Sequence, residues 1–132
     1  YDENKIKGQK YFKSFKYEVP SDPSSCAFFV VLTLLSKNCK LKIQNVNVNQ
    51  SRIGYIELLN KMGAKIKIKN VKKKYGEKQA DIYVKSQPVL KKINCPPKLN
   101  SNLIDEFLII FLAAAKANGV SSFSNLSELN KK

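Results

Sequence analysis

The chain has 132 residues, a formal net charge of +14 from 24 basic and 10 acidic residues, and 43% hydrophobic residues, which is enough to form one compact core. It contains three cysteines without a Cys-x-x-Cys pair and no histidine, so a disulfide framework, a metal site and histidine-dependent catalysis are excluded. The longest apolar run, residues 107–115, is shorter than the roughly 20 residues of a membrane span. We therefore expect a soluble, cytoplasmic protein with no membrane partner.

The basic charge comes almost entirely from lysine, because Arg52 is the only arginine. Arginine is the residue that reads phosphate and guanine with two parallel hydrogen bonds, whereas lysine acts as a solvated point charge. The charge therefore predicts weak polyanion binding that is lost as salt rises, with no specific nucleic acid partner.

Residues 11–19 alternate between apolar or aromatic and polar side chains, which predicts a strand that ends at Pro20. Asp22 is a suitable N-cap and Pro23 suits the first helical position, so a helix is predicted over residues 23–35. The middle of this helix is apolar on all sides, and we expect it to be buried on most faces.

Residues 40–48 alternate again and predict a second strand. Ser51 is the expected cap of a second helix, and Gly63 is its expected stop. This helix is predicted to be amphipathic and to lie on the surface, because its apolar residues share one face at helical spacing: Ile56, Leu59 and Met62.

Residues 64–71 and 81–86 alternate as strands on either side of a lysine-rich turn, residues 72–76, which predicts a hairpin. The predicted order to this point is β-α-β-α-β-β. A third helix over residues 103–117, a stop at Gly119 and a short strand over residues 120–123 then restart the pattern.

The restart indicates an internal repeat, because one constant shift aligns Asn38 with Asn118 and Asn45 with Asn125. The predicted fold class is therefore α/β (α+β), with repeated β-α-β-α-β-β units of which the chain holds one nearly complete unit and part of a second. Such units must pack on copies of themselves. We accordingly expect self-association through the uncovered face of the repeat.

Five strings in one order resemble the 5-enolpyruvylshikimate-3-phosphate synthases. Residues 19–29 are similar to that family's Pro-Gly-Asp-Pro-Ser-Ser-x-Ala-Phe passage, and residues 49–54 to its Asn-Pro-Thr-Arg-x-Gly. Residues 58–64 resemble Leu-x-x-Met-Gly-Ala, residues 104–107 resemble Ile-Asp-Glu-Tyr or Ile-Pro-Asp, and residues 126–132 resemble Leu-x-Glu-Leu-Arg-x-Lys. Each string alone is a weak signal, and the five together are a strong one.

The resemblance implies two domains of three repeats each. It makes residues 1–19 the tail end of the preceding domain or a hinge strand, and residues 20–132 a partial second domain. It also implies transfer of the enolpyruvyl group of phosphoenolpyruvate to the 5-hydroxyl of shikimate 3-phosphate, without cofactors. The family's Lys-Ser loop and the Ser-Ser-Gln of its first domain have no counterpart here, so we expect the chain to be inactive alone.

The resemblance assigns two catalytic residues. Asp105 matches the general base that takes the proton of the 5-hydroxyl, although a carboxylate in a first helical turn can equally be placed there by the helix dipole. Lys132 matches the active-site lysine that neutralises charge around phosphoenolpyruvate. Glu128 stands where some members carry a substrate-binding residue.

Arg52, Ser24 and Ser25 are interpreted as structural residues of capped turns rather than ligands. Two alternatives remain beside the leading hypothesis. One is an enolpyruvyl transferase of the same fold that acts on UDP-N-acetylglucosamine. The other is a small basic nucleic-acid-binding module, for which no finger, basic-zipper or helix-turn-helix pattern is present.

Overall fold

The computed structural model describes residues 8, 11 and 13–129. Helices and strands alternate from residue 23 onward and end in a third helix. The main elements, in chain order, are α1 (Pro23–Leu35), β1 (Lys40–Asn47), α2 (Gly54–Lys61), β2 (Lys67–Lys74), β3 (Glu77–Lys85) and α3 (Phe107–Ala115). Two short 3-10 helices, Gln50–Arg52 and Pro97–Asn102, precede α2 and α3. Among the residues described, no helix is long and apolar enough to cross a membrane.

The first helix has the predicted bounds and the predicted cap. An Asp22 carboxylate oxygen accepts a hydrogen bond from the Ser25 amide at 2.7 Å, which satisfies one of the backbone donors left open at a helix start. Pro23 occupies the first turn, where its missing N–H costs nothing.

The prediction that α1 is buried on most faces is confirmed, and the remaining side of the helix is exposed in the described chain. Phe28 is 50% exposed and Leu32 is 64% exposed. The neighbouring helix α3 continues this surface with Leu108, 75% exposed, and Leu112, 47% exposed. We call these four residues the apolar strip.

The three strands form one antiparallel sheet in the order β1-β3-β2. The predicted hairpin is confirmed, but its strands run further than expected, so that the turn contains only Tyr75 and Gly76. Both residues have positive φ, 52° and 83°, as tight two-residue hairpin turns require. Pairing between strands thus continues through the lysine-rich residues that were predicted as the turn.

Two β-bulges interrupt the sheet around one buried carboxylate. The register shifts between Ile43 and Val46 in β1 and between Lys69 and Lys72 in β2. Asp81 in the central strand accepts a hydrogen bond from the Asn45 amide at 3.3 Å and one from Asn70 Nδ2 at 2.9 Å. Asn45 and Asn70 lie at the bulges with φ of 53° and 55°, a conformation that asparagine tolerates better than most residues.

The prediction that Ser51 caps the second helix is wrong. Ser51 lies inside the 3-10 helix Gln50–Arg52, and the residue before α2 is Ile53, which makes no side-chain cap. The tight turn closes instead through the Arg52 amide, which donates to the Asn49 carbonyl at 2.8 Å. The amphipathic character of α2 and the stop at Gly63, with φ of 96°, are confirmed.

The predicted strand over residues 11–19 does not form in the part of it that is described, residues 11 and 13–19. Backbone donors and acceptors of a strand need a neighbouring strand, and only Ser21 reaches the edge of β1, bridging to Val46. Tyr17 and Glu18 instead contact the hairpin through their side chains, and Glu18 pairs with Lys74. Tyr17 packs on Tyr75 with ring centroids 4.5 Å apart.

The third helix begins at Phe107 rather than at residue 103, because residues 97–102 form the second 3-10 helix. The predicted strand over residues 120–123 is reduced to one isolated parallel bridge, between Asn94 and Ser122. Asn125 has a φ of 59° and matches Asn45 under the predicted repeat. The backbone match is partial, because Asn38 has a φ of 54° whereas the left-handed residue beside its partner Asn118 is Gly119, with a φ of 94°.

Candidate active site

Three chain segments meet at the start of α1. The Arg52 guanidinium lies 3.1 Å from Asp22 Oδ1 and donates to Ser24 Oγ at 3.3 Å. Ser24 Oγ in turn donates to Glu106 Oε1, in the residue that precedes α3. The Ser25 amide, with a smaller contribution from Arg52, lowers the pKa of Asp22. This chain of polar contacts supports the interpretation of Arg52 and Ser24 as structural residues, since both are engaged within the protein.

Gly54 holds the second helix close to the segment that leads to α3. A Cβ at this position would lie 2.9 Å from the carbonyl oxygen of Asn102 and 3.0 Å from its Cβ. Any side chain would therefore push the 3-10 helix Pro97–Asn102 away from α2. The glycine of the string at residues 49–54 thus positions the backbone just before Asp105.

Asp105 is exposed and lies in the turn that precedes α3. It was expected within the first helical turn, but the helix starts two residues later with Glu106 as its N-cap. Asp105 borders a cavity of about 220 Å³ together with Arg52 and Ser101. The carboxylate is therefore accessible to a ligand and has a guanidinium in the same cavity wall.

Glu128 is also exposed and borders a second cavity, of about 300 Å³. The two cavities are neighbours, because Ser101 and Ile104 line both. The structure thus brings Asp105 and Glu128 to adjoining parts of one surface. Lys132 lies outside the described residues.

Glu106 was not singled out from the sequence. Its residue is only 3% exposed, and burial, followed by the charge of Asp105, raises its pKa, while the hydrogen bond from Ser24 opposes this shift. The sequence signal that could have indicated burial of Glu106 is its position directly before an apolar helix, since a side chain there can point toward the core. Nearby, the Tyr55 hydroxyl is buried without a hydrogen-bond partner in the described chain, and burial raises its pKa.

Glu106 should make the stability of the chain fall as the pH rises. Because its folded pKa lies above the ordinary value, its contribution is complete below about pH 4.3 and is lost as the pH passes the folded pKa. The Glu106→Gln variant keeps an acceptor for Ser24 without the charge. Urea unfolding is measured between pH 4 and 7. Over this range, the free energy of unfolding of Glu106→Gln should rise relative to that of the parent protein by about 1.4 kcal/mol for each unit by which the pKa of Glu106 is raised.

Glu57→Gln is the matched control for this experiment. The Glu57 carboxylate is bonded to Lys61 at 2.8 Å, which lowers its pKa. Its contribution is present above the ordinary pKa and is lost as the pH falls, so this variant should show the opposite, smaller trend. Equal pH profiles for Glu106→Gln and the parent protein would contradict the assignment.

In the described part of the chain, no group of three or more cysteine, aspartate or glutamate side chains is placed to hold a metal ion. The site therefore offers carboxylates, hydroxyls and cationic nitrogens. These groups can transfer protons and bind anions.

Comparison with known proteins gives one consistent family. The EPSP synthase (3-phosphoshikimate 1-carboxyvinyltransferase) family model matches residues 1–132. The 3-phosphoshikimate 1-carboxyvinyltransferase of Zymomonas mobilis subsp. mobilis is 41% identical over 127 residues, which are 96% of this chain and 28% of that protein. The corresponding protein of Bartonella quintana is 39% identical over 127 residues, with the same shares.

A solved structure agrees with these relatives. EPSP synthase from Acinetobacter baumannii superposes with a TM-score of 0.81 at 39% identity, over 84% of this chain and 25% of that one. The mixed helix and strand architecture is thus that of the enolpyruvyl transferase fold. The chain spans about 28% of the length of the two curated relatives named above.

Proposed function

Since this chain belongs to the EPSP synthase (3-phosphoshikimate 1-carboxyvinyltransferase) family, we propose that it forms part of an enzyme that transfers the enolpyruvyl group of phosphoenolpyruvate to the 5-hydroxyl of shikimate 3-phosphate. The observation that carries the proposal is the exposed Asp105 carboxylate in a cavity beside Arg52, adjoining the cavity of Glu128. A general base must be reachable by the hydroxyl that it deprotonates, and Asp105 meets this condition.

In the proposed reaction, Asp105 accepts the proton of the 5-hydroxyl while that oxygen attacks the enolpyruvyl carbon and the methylene carbon takes up a proton. The resulting methyl group then loses a proton, the carbon–oxygen bond to phosphate breaks, and inorganic phosphate leaves as the double bond forms again. Lys132 supplies an ammonium group that neutralises charge around phosphoenolpyruvate, a role that rests on the resemblance of residues 126–132. Glu128 contacts shikimate 3-phosphate from the neighbouring cavity. The reaction uses no cofactor, and the enzyme works in the cytoplasm.

We further propose the domain division at residue 20. Residues 1–19 belong to the preceding domain or to the hinge, and residues 20–132 form part of the second domain. The described residues 13–19 form no strand and are exposed, whereas α1 and the elements after it share one hydrophobic core. The relatives reported above act on 3-phosphoshikimate by name, so the UDP-N-acetylglucosamine enzyme is not favoured.

The isolated chain should show no enolpyruvyl transfer. In the proposed enzyme, residues from two domains close over the substrates, and this chain contributes only part of one side of the active site. Without the other phosphate-binding groups, the substrates are not held in a reactive geometry. The test is phosphate release from phosphoenolpyruvate, with and without shikimate 3-phosphate.

The positive arm of this test is a chimera in which the chain replaces the matching segment of the Zymomonas mobilis enzyme, to which it is 41% identical. The chimera should transfer the enolpyruvyl group. A chimera that unfolds cooperatively on heating, binds both substrates and yet releases no phosphate would contradict the proposed function.

The apolar strip should make the isolated chain self-associate. Its four large apolar side chains lie together on α1 and α3, and contiguous patches of this kind mark interaction surfaces. Sedimentation velocity should show a concentration-dependent increase in mass, which the double substitution Leu108→Glu and Leu112→Glu abolishes. Val71→Glu with Val120→Glu is the control, because these residues are also exposed but lie outside the strip. A monomer at every concentration would contradict the expectation.

A further inference from the structure

The sheet has one face covered by helices and one face rich in lysine. In β1, the inward residues Leu41 and Ile43 pack against the core, and the residues between and before them are exposed lysines. The same alternation occurs at the start of β2, over residues 67–69, and at the end of β3, over residues 82–85, as expected where a sheet has one solvated side. We define the lysine face as the outward residues Lys40, Lys42, Lys67, Lys69, Tyr83 and Lys85.

The strand register brings the residues of the lysine face together. Lys42 and Lys67 both pair with Tyr83 of the central strand, one from each side. The Nζ atoms of Lys42 and Lys69 each lie 5.5 Å from the centroid of the Tyr83 ring. Two lysine cations thus lie over one aromatic ring, whose electron-rich face attracts them.

Like charges also face one another directly on this surface. Lys40 pairs with Lys85 across the sheet, and opposed like charges destabilise a cross-strand pair. Among the described residues, the ion pair found on the lysine face joins Lys42 to Asp81 at 3.2 Å, and Lys40 and Lys85 take no part in it. A bound anion would relieve the remaining repulsion.

The lysine face borders a groove of about 820 Å³. The groove lies at the ends of the three strands, and five of its lining residues are lysines: Lys40, Lys42, Lys65, Lys67 and Lys85. It shares no lining residue with the cavities of Asp105 and Glu128. Its ligand therefore need not be a substrate of the proposed reaction.

We propose that the lysine face is a binding site for a linear chain of phosphate groups, as present in inorganic polyphosphate and in the backbone of single-stranded nucleic acid. Lysines on adjacent strands can contact successive phosphates and release their counterions. Because the contacts are lysine point charges rather than arginine forks, binding is independent of base sequence. This site goes beyond the proposed function and does not rest on it.

The test measures binding of the whole chain to a fluorescein-labelled oligothymidylate by anisotropy, with inorganic polyphosphate as competitor. The face variant carries Lys40→Gln, Lys42→Gln, Lys67→Gln and Lys85→Gln. The control variant has the same net charge and carries four substitutions at exposed lysines elsewhere: Lys37→Gln, Lys91→Gln, Lys92→Gln and Lys116→Gln.

The face variant should bind the oligonucleotide at least about tenfold more weakly at low salt. In a plot of the logarithm of the binding constant against the logarithm of the salt concentration, its slope should be less steep by about 0.7 for each lost phosphate contact. The control variant should change affinity by less than about twofold, because its lysines contribute only to the general field. Equal losses of affinity in both variants would mean that net charge alone causes binding, and this result would overturn the proposed site.

Competition with polyphosphate distinguishes the two sources of a phosphate chain, inorganic polyphosphate and the backbone of single-stranded nucleic acid. Polyphosphate should displace the oligonucleotide and should bind by itself, and failure to do so would overturn a site built on the phosphate chain. Amide chemical shifts of the parent protein, titrated with polyphosphate, decide the location independently of the variants. They should move in β1, β3 and the start of β2, and shifts confined to other elements would also overturn the proposal.

Discussion

Replacing Asp105 by asparagine should lower kcat of the active chimera by about 100- to 10,000-fold, the usual contribution of a positioned general base. The substitution keeps the size of the side chain and removes only its ability to accept the proton. The KM values for the two substrates should change much less, because the proton is transferred during the chemical step and not when the substrates bind.

Steady-state assays of phosphate release measure this loss, with Glu57→Gln as the control. Glu57 is an exposed acid on α2 that pairs with Lys61 and lies outside both cavities, so kcat should stay within about twofold of the parent value. Glu128→Gln should instead raise the KM for shikimate 3-phosphate. An Asp105→Asn chimera that keeps full kcat would remove Asp105 from the mechanism.

Replacing Phe107 by alanine should lower the free energy of unfolding by about 3 to 5 kcal/mol, the usual cost of a large cavity in a core. Phe107 is 1% exposed. Its ring lies 5.5 Å from that of Phe111 and 6.3 Å from that of Phe123, between centroids. The substitution removes one of two ring contacts between α3 and Phe123, and Phe111 makes the other, with centroids 5.0 Å apart.

Urea unfolding followed by circular dichroism measures this effect, and Val120→Ala is the control. Val120 is 83% exposed and lies outside the apolar strip, so its truncation should cost less than about 0.5 kcal/mol. Similar losses for Phe107→Ala and Val120→Ala would mean that α3 is not anchored through Phe107.

Local signals predicted the elements whose stability comes from their own residues. The Asp22 cap and Pro23 define the start of α1 because their effects act within one turn. The hairpin was predicted from alternation. Its strands β2 and β3 continue up to the turn Tyr75-Gly76, because backbone pairing between the strands outweighs the lysine-rich composition there. Gly63 ends α2 because it takes a positive φ of 96° at low cost.

The incorrect predictions concern residues whose conformation depends on distant partners. Residues 11–19 alternate like a strand, but the described part of them has no strand to pair with. Ser51 has the chemistry of a cap, yet the close approach of Gly54 to Asn102 accompanies a 3-10 turn at that point. Tertiary context overrode local preference in both cases.

The sequence by itself determined the family, the α/β fold class and the identity of Asp105 and Glu128 as candidates, because these follow from residue types and their order. Only the tertiary structure decided that these acids lie in adjoining cavities and that Glu106 is buried against Ser24. It also decided that lysines of three strands share one face. These arrangements join residues far apart in the chain, and a sequence pattern carries no distance between such residues.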